Sequence, residues 1–241
     1  MLFISPPFGN YINLPGTISI KGSFTLNERP GKWVQIFKTL RYSFKYNGWC
    51  NKIGLRNPGI DYAIRKYKKN SIVSVAILDK KEIKPLLNKI PENMNIELNI
   101  SCPNTKEDMV KDEIQQFINP KREWCIVKLS PLITKEEIDE LYNSGFRQFN
   151  CSNTLPTKTL QTNLIGGLSG IMLIPYTINT VKYIRNNYPD TIIIAGGGVR
   201  SWDIGNLYMN LGADHVSVST LCFSPIKFSL FYGKYLFKKL F

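Results

Sequence analysis

Short runs of consecutive apolar residues alternate along this chain with longer stretches whose apolar positions recur at helical spacing. Runs of the first kind suit buried parallel strands, and stretches of the second suit amphipathic helices packed over them. The runs predict strands at 3–5, 18–21, 72–77, 96–100, 125–129, 148–151, 191–195 and 215–218. The helical pattern falls at 61–67, 80–87, 111–117, 135–143, 176–186, 201–211 and 225–240. Thr134 with Glu137 is a capping-box signature at the head of one of these. Eight strands with helices between them predict an α/β chain folded as a (β/α)8 TIM barrel. One unit is defective: residues 6–17 are too few, and too rich in Pro, Gly and Asn, to hold a helix. The barrel is therefore expected to lack or shorten its first helix.

A chain of 241 residues fits a single barrel domain over 1–241, with no internal repeat and no low-complexity linker. No apolar stretch approaches the roughly 20 residues needed to span a bilayer. The opening MLFISPPFGN has no secretory pattern. Five cysteines without a CxxC pair predict reduced thiols and a cytoplasmic setting. The formal charge of +13 is unusual, but no basic run is dense enough for a nucleic-acid stripe, so it reads as solvated surface. Residues 223–241 carry Lys227, Lys234, Lys238 and Lys239 without acids. They read as the last barrel helix with a lysine face rather than as a membrane anchor. A single histidine, His215, argues against a His-based metal site and a Ser-His-Asp triad. Proton chemistry is left to Cys, Asp, Glu, Lys or Tyr.

In a parallel barrel the active site lies at the C-terminal strand ends. Here the fourth predicted strand runs into Asn99-Ile-Ser-Cys-Pro-Asn-Thr105, and the fifth ends at Lys128. The sixth leads to Asn153-Thr154, the seventh to Gly196-Gly197-Gly198, and the eighth to Ser219-Thr220. Each has a plain explanation alone: a tight turn, a structural ion pair, an inert core thiol. Together they bring amide, thiol, ammonium and glycine groups to one opening. Bare glycines let backbone N–H groups approach a phosphate. Lys128 follows Ile126-Val127, and an ammonium buried there calls for an anionic partner.

These segments resemble dihydroorotate dehydrogenases. Glu97-Leu-Asn-Ile-Ser-Cys-Pro-Asn-Thr105 is similar to the family's base-bearing motif, and Asn51-Lys-Ile-Gly-Leu-Arg-Asn-Pro-Gly59 to its substrate loop. Val127-Lys-Leu-Ser-Pro131, Asn153-Thr154, Gly166-Gly-Leu-Ser-Gly170, Ala195-Gly-Gly-Gly-Val199 and Gly212-Ala-Asp-His-Val216 follow in family order. The resemblance implies FMN-dependent oxidation of dihydroorotate to orotate, a step of pyrimidine synthesis. Its catalytic residues would be Cys102, as the base at substrate C5, and Lys128, against the flavin. Asn51, Asn99, Asn104, Asn153 and Thr154 would bind the substrate. Gly22, Ser23, Asn99, Lys128, Gly170, Gly197, Gly198, Ser219 and Thr220 would hold FMN, with no metal. The cysteine base implies the soluble branch, and the resemblance as a whole implies a small-molecule substrate, no nucleic-acid or membrane partner, and a homodimer. The acceptor stays open among fumarate, NAD through a partner subunit, and a quinone.

Several positions depart from the family pattern. Ser5-Pro-Pro-Phe-Gly-Asn10 replaces a small-residue loop, and Gly22 stands where a lysine is common, with Lys21 one residue early. Ser219 replaces a phosphate-binding glycine, and the segment after Asn104 is shorter than the usual lid. Two other readings therefore stand beside the first. One is a degenerate barrel that binds without catalysing. The other is a related flavin barrel acting on another pyrimidine-like substrate, as tRNA dihydrouridine synthases do.

Overall fold

The computed structural model describes residues 1–100, 113–160 and 162–240, with side chains to 238. The chain enters the barrel on β1 (Leu2–Ile4) and returns on β2 (Thr17–Phe24). Between them stands a single 3-10 turn, Phe8–Asn10, and no α-helix, as the composition of this stretch predicts. Gly9 explains how the chain turns so tightly: an added Cβ would run into the carbonyl oxygens of Ile4 and Ile20. An excursion then carries α1 (Lys32–Thr39), the hairpin β3 (Arg41–Ser43) and β4 (Gly48–Asn51), and α2 (Ile60–Arg65). The barrel resumes with β5 (Ser71–Ala76), α3 (Ile83–Lys89), β6 (Ile96–Asn99) and β7 (Cys125–Leu129).

α4 (Lys135–Asn143) carries the predicted capping box, with Thr134 and Glu137 each bonding the other's backbone N–H. β8 (Gln148–Cys151) leads to a second excursion, β9 (Leu155–Pro156) and β10 (Gly167–Gly170). The chain closes through α5 (Ile174–Asn187), β11 (Ile192–Ala195), α6 (Trp202–Asn210), β12 (His215–Val218) and α7 (Pro225–Leu240). The pattern predicted at 111–117 differs: its described part ends in a 3-10 turn, Ile114–Phe117. α5 starts two residues earlier than its apolar spacing suggests, because Pro175 fits the first turn, where no N–H is needed.

All eight predicted strands are present and close into a parallel barrel of order β1-β12-β11-β8-β7-β6-β5-β2. Outward residues such as Val73, Leu98, Val127 and Phe149 pack under the helices in the main core. The inward set alternates with them and fills the barrel in layers. Its floor is apolar, made of Phe3, Ile20, Ile72, Trp124, Ile126 and Ile194. Each such side chain contributes about 1.5–3 kcal/mol by leaving water. The ring of His215 packs against Phe3 and Trp124 at this floor, and burial pushes its imidazole below its usual range. Its role there is structural.

The two excursions meet above the barrel in an antiparallel sheet of order β3-β4-β10-β9. Asn51 pairs with Gly167 and Gly48 with Gly170. Cys50, Leu155, Leu168 and Leu173 form a small core beneath this sheet. No such sheet is foreseen by the sequence pattern. Among the described residues, no helix is long and apolar enough to cross a membrane.

Candidate active site

One residue further along each inward face, the barrel interior turns polar. Ser5 and Ser217 share a hydrogen bond of 2.6 Å, and Ser23 and Ser74 one of 2.8 Å. Asn150 Nδ2 donates to Glu97 Oε2 at 2.6 Å, and Lys128 Nζ stands 3.7 Å from Glu97 Oε1. Period-two alternation produces this layer: Phe3 and Ser5, Ile72 and Ser74, and Ile126 and Lys128 are successive inward positions. Apolar floor and polar ceiling thus come from the same strands.

Above this layer two of the predicted amides, Asn99 and Asn153, form one row. Asn153 Nδ2 donates to Asn99 Oδ1 at 3.0 Å, and Asn99 Nδ2 donates to Ser23 Oγ at 2.9 Å. Thr154 N–H donates to Asn153 Oδ1 at 2.9 Å. The row fixes which edge of Asn99 accepts and which donates, a prerequisite for reading an asymmetric polar ligand. The end of β2 is held by Asn10. Gly22 N–H donates to Asn10 Oδ1 at 3.0 Å, and Asn10 Nδ2 donates to Pro7 O at 3.0 Å and Gly22 O at 3.3 Å. Gly22 needs φ +126°, which disfavours any other residue there.

Beside the row lies a recess lined by Gly170, Gly196, Gly197, Gly198, Ser219 and Thr220, with Lys128 at its edge. Among the described residues, no carboxylate lines it. Gly197 and Gly198 take φ +89° and +73°, and a Cβ on Gly198 would lie 2.6 Å from Ile174 Cγ1. Tyr208 Oη donates to Gly197 O at 2.6 Å and holds this loop from behind. Ser219, which replaces a glycine of the family pattern, does not crowd the recess with an idle hydroxyl: its Oγ donates to Pro6 O at 2.9 Å. Backbone N–H groups, hydroxyl residues such as Thr220, and one ammonium make a site suited to a phosphate. The recess opens into a wider cleft that shares Lys128, Asn153, Thr154, Ser219 and Thr220 with it.

That cleft also takes in Gly22, Ser23, Asn51 and Asn99. The structure thus brings together every candidate residue named from the sequence that it describes. Cys102 and Asn104 lie outside the described residues. Nine lysine and arginine side chains line the cleft, and no described aspartate or glutamate does. Part of the +13 charge is therefore concentrated at the opening rather than spread as solvated surface, and such a cleft draws in anions. Lys21 also differs from expectation. It lines the cleft but lies outside the polar inner layer, and burial followed by the nearby Lys68 pushes its ammonium below its usual range.

Sequence reasoning missed Asn10, Ser74, Glu97, Asn150 and Ser217 as parts of this site. Glu97 and Asn150 carried a signal, being polar residues set within apolar strands. Asn10 carried none, since its partner is backbone.

A family model described as dihydroorotate dehydrogenase matches residues 9–229. The catalytic subunit of dihydroorotate dehydrogenase B (NAD(+)) from Petrotoga mobilis is 33% identical over 240 residues, covering 86% of this chain and 76% of that protein. Its counterpart from Bacteroides thetaiotaomicron is 28% identical over 251 residues, covering 90% and 79%. Among solved structures, ligand-free DHODH from Eimeria tenella superposes with a TM-score of 0.70 at 17% identity, covering 91% of this chain and 78% of that one. At that identity the likeness concerns the fold.

Proposed function

Because the chain belongs to the dihydroorotate dehydrogenase family, we propose that it oxidises dihydroorotate to orotate with FMN seated across the barrel mouth and Cys102 as the base. The observation that carries this reading is the polar row Asn153–Asn99–Ser23 beside a glycine recess that no described carboxylate lines, with Lys128 lining both. FMN, when bound, supplies a two-electron acceptor for the substrate's hydride.

The chain's own residues have distinct tasks. Backbone N–H groups around Gly170, Gly197 and Gly198, with Ser219 and Thr220, hold the phosphate. Gly22 and Ser23 would contact the flavin ring, and Lys128 would set positive charge where negative charge builds up on reduction. Asn51, Asn99, Asn104 and Asn153, with Thr154, hold the substrate's carboxylate and amide edges through paired donors and acceptors. Cys102, as thiolate, takes the proton from C5. The cationic cleft raises the local concentration of the anionic substrate. The whole chain acts as one FMN-binding unit with a small-molecule substrate.

The test is a visible spectrum of the purified protein before and after anaerobic addition of dihydroorotate. Flavin bands that bleach are the expected result. Bands that remain would overturn the substrate or the base, and a protein that takes up no FMN would overturn the cofactor.

A further inference from the structure

Glu97 has no part in that reading, yet it is the most deeply placed charge in the barrel. It sits on β6 two residues before Asn99, with no solvent exposure. Oε2 is satisfied by Asn150, but among the described residues Oε1 has no hydrogen-bond partner and instead faces the Lys128 ammonium at 3.7 Å. A buried pair that served stability alone would close to a charge-assisted hydrogen bond of roughly 2.7–2.9 Å. Hydrophobic residues of similar volume would usually serve stability as well. At 3.7 Å the carboxylate balances the ammonium without taking up one of its three N–H donors. Lys128 meanwhile lines both the glycine recess and the wide cleft. In a buried setting, the charge that reaches the cleft depends on this separation.

We propose that Glu97 is a positioning residue that acts through Lys128, holding the ammonium at the barrel mouth and limiting how strongly it favours the reduced flavin. The inference rests on the FMN reading above. It predicts the sign of a change that needs no substrate. Glu97→Gln keeps an acceptor for Asn150 but removes the countercharge, so Lys128 acts on the flavin unopposed.

The experiment is the midpoint potential of bound FMN, measured by photoreduction against a reference dye without dihydroorotate. Glu97→Gln should favour the reduced form by about tenfold, a rise of ~30 mV for a two-electron couple. Lys128→Met should lower the potential, and the double variant should match Lys128→Met alone. Should Glu97→Gln fail to fold, Glu97→Asp, which retracts the carboxylate by one methylene, should give a smaller rise. An unchanged potential in a folded, FMN-loaded variant would overturn the proposal. So would an equal rise in the Lys128→Met background, which would show that Glu97 does not act through the lysine. A wild-type protein that bleaches with dihydroorotate while the variants fail this test would leave the proposed function standing and remove only the role of Glu97.

Discussion

Replacing Asn10 by alanine tests whether the short first loop is part of the site or only a connection. Asn10 makes three hydrogen bonds, of 3.0, 3.0 and 3.3 Å, and two of them fasten Gly22 at the end of β2. A typical net hydrogen bond contributes about 0.5–1.5 kcal/mol, and a donor left unmet in a buried place costs about 1–3 kcal/mol. Counting one well-formed bond to Gly22 N–H and one shared donor gives a loss of about 2 kcal/mol. For a chain of this size that corresponds to a fall in Tm of roughly 4–8 °C.

The loss should also reach the substrate, because Ser23 follows Gly22 and accepts from Asn99. The assay is a thermal melt with and without FMN, together with anaerobic flavin reduction over a range of dihydroorotate concentrations. The expected outcome is a lower Tm and a weaker apparent substrate affinity. Asn10→Asp keeps the acceptor for Gly22 N–H but cannot donate, so it should fall between wild type and alanine. A Tm within about 1 °C of wild type, with substrate affinity unchanged, would refute the reasoning.

Further predictions concern the recess and the thiols. Gly198→Ala puts a Cβ at 2.6 Å from Ile174 Cγ1 in a φ of +73°, and should cost about 1–3 kcal/mol and weaken FMN binding; an unchanged FMN Kd would remove Gly198 from the cofactor site. Cys102→Ala should bind FMN but leave it oxidised with dihydroorotate. In wild type, flavin reduction should speed up as pH rises toward an ordinary thiol pKa of about 8.5, because the base works only when deprotonated; a flat profile would contradict this role. Burial raises the thiol of Cys125 to about 11 and that of Cys222 to about 12, and raises Cys50 and Cys151 as well. These four stay protonated at a labelling pH of about 8, so a thiol reagent should modify one residue, Cys102, quickly in the native protein. Rapid modification of two or more would show that burial does not protect them.

The barrel was legible because each of its strands is a short apolar run, and closure demands little more than eight of them in order. The roof over it was not. β3, β4, β9 and β10 mix Arg, Ser, Asn, Pro or Gly with their few apolar positions, so no apolar run marks them. Two signals were nonetheless present. Asn47, at φ 47°, ends the four-residue loop that joins the paired Ser43 and Gly48, and Trp33, Ile36, Phe37 and Leu40 have helical spacing. In the site, residues at strand ends such as Asn99, Lys128 and Asn153 could be read from position alone. Glu97 and Asn150 stand out as polar residues within apolar strands, but their meeting could not be read, because which inward residues meet across a barrel depends on register between strands. Register is a property of the closed sheet.

The pairing of β4 with β10 has a bearing on how the protein assembles. Asn51 and Gly167 belong to opposite halves of the chain, so no local segment can form their contact. Entropy makes such distant closures late and slow events, reached only after each half is largely in place. The proposed substrate-binding face is thus a product of the last stage of folding. A chain halted halfway through synthesis would carry apolar strands but no binding site, and two halves produced separately would regain one only by meeting.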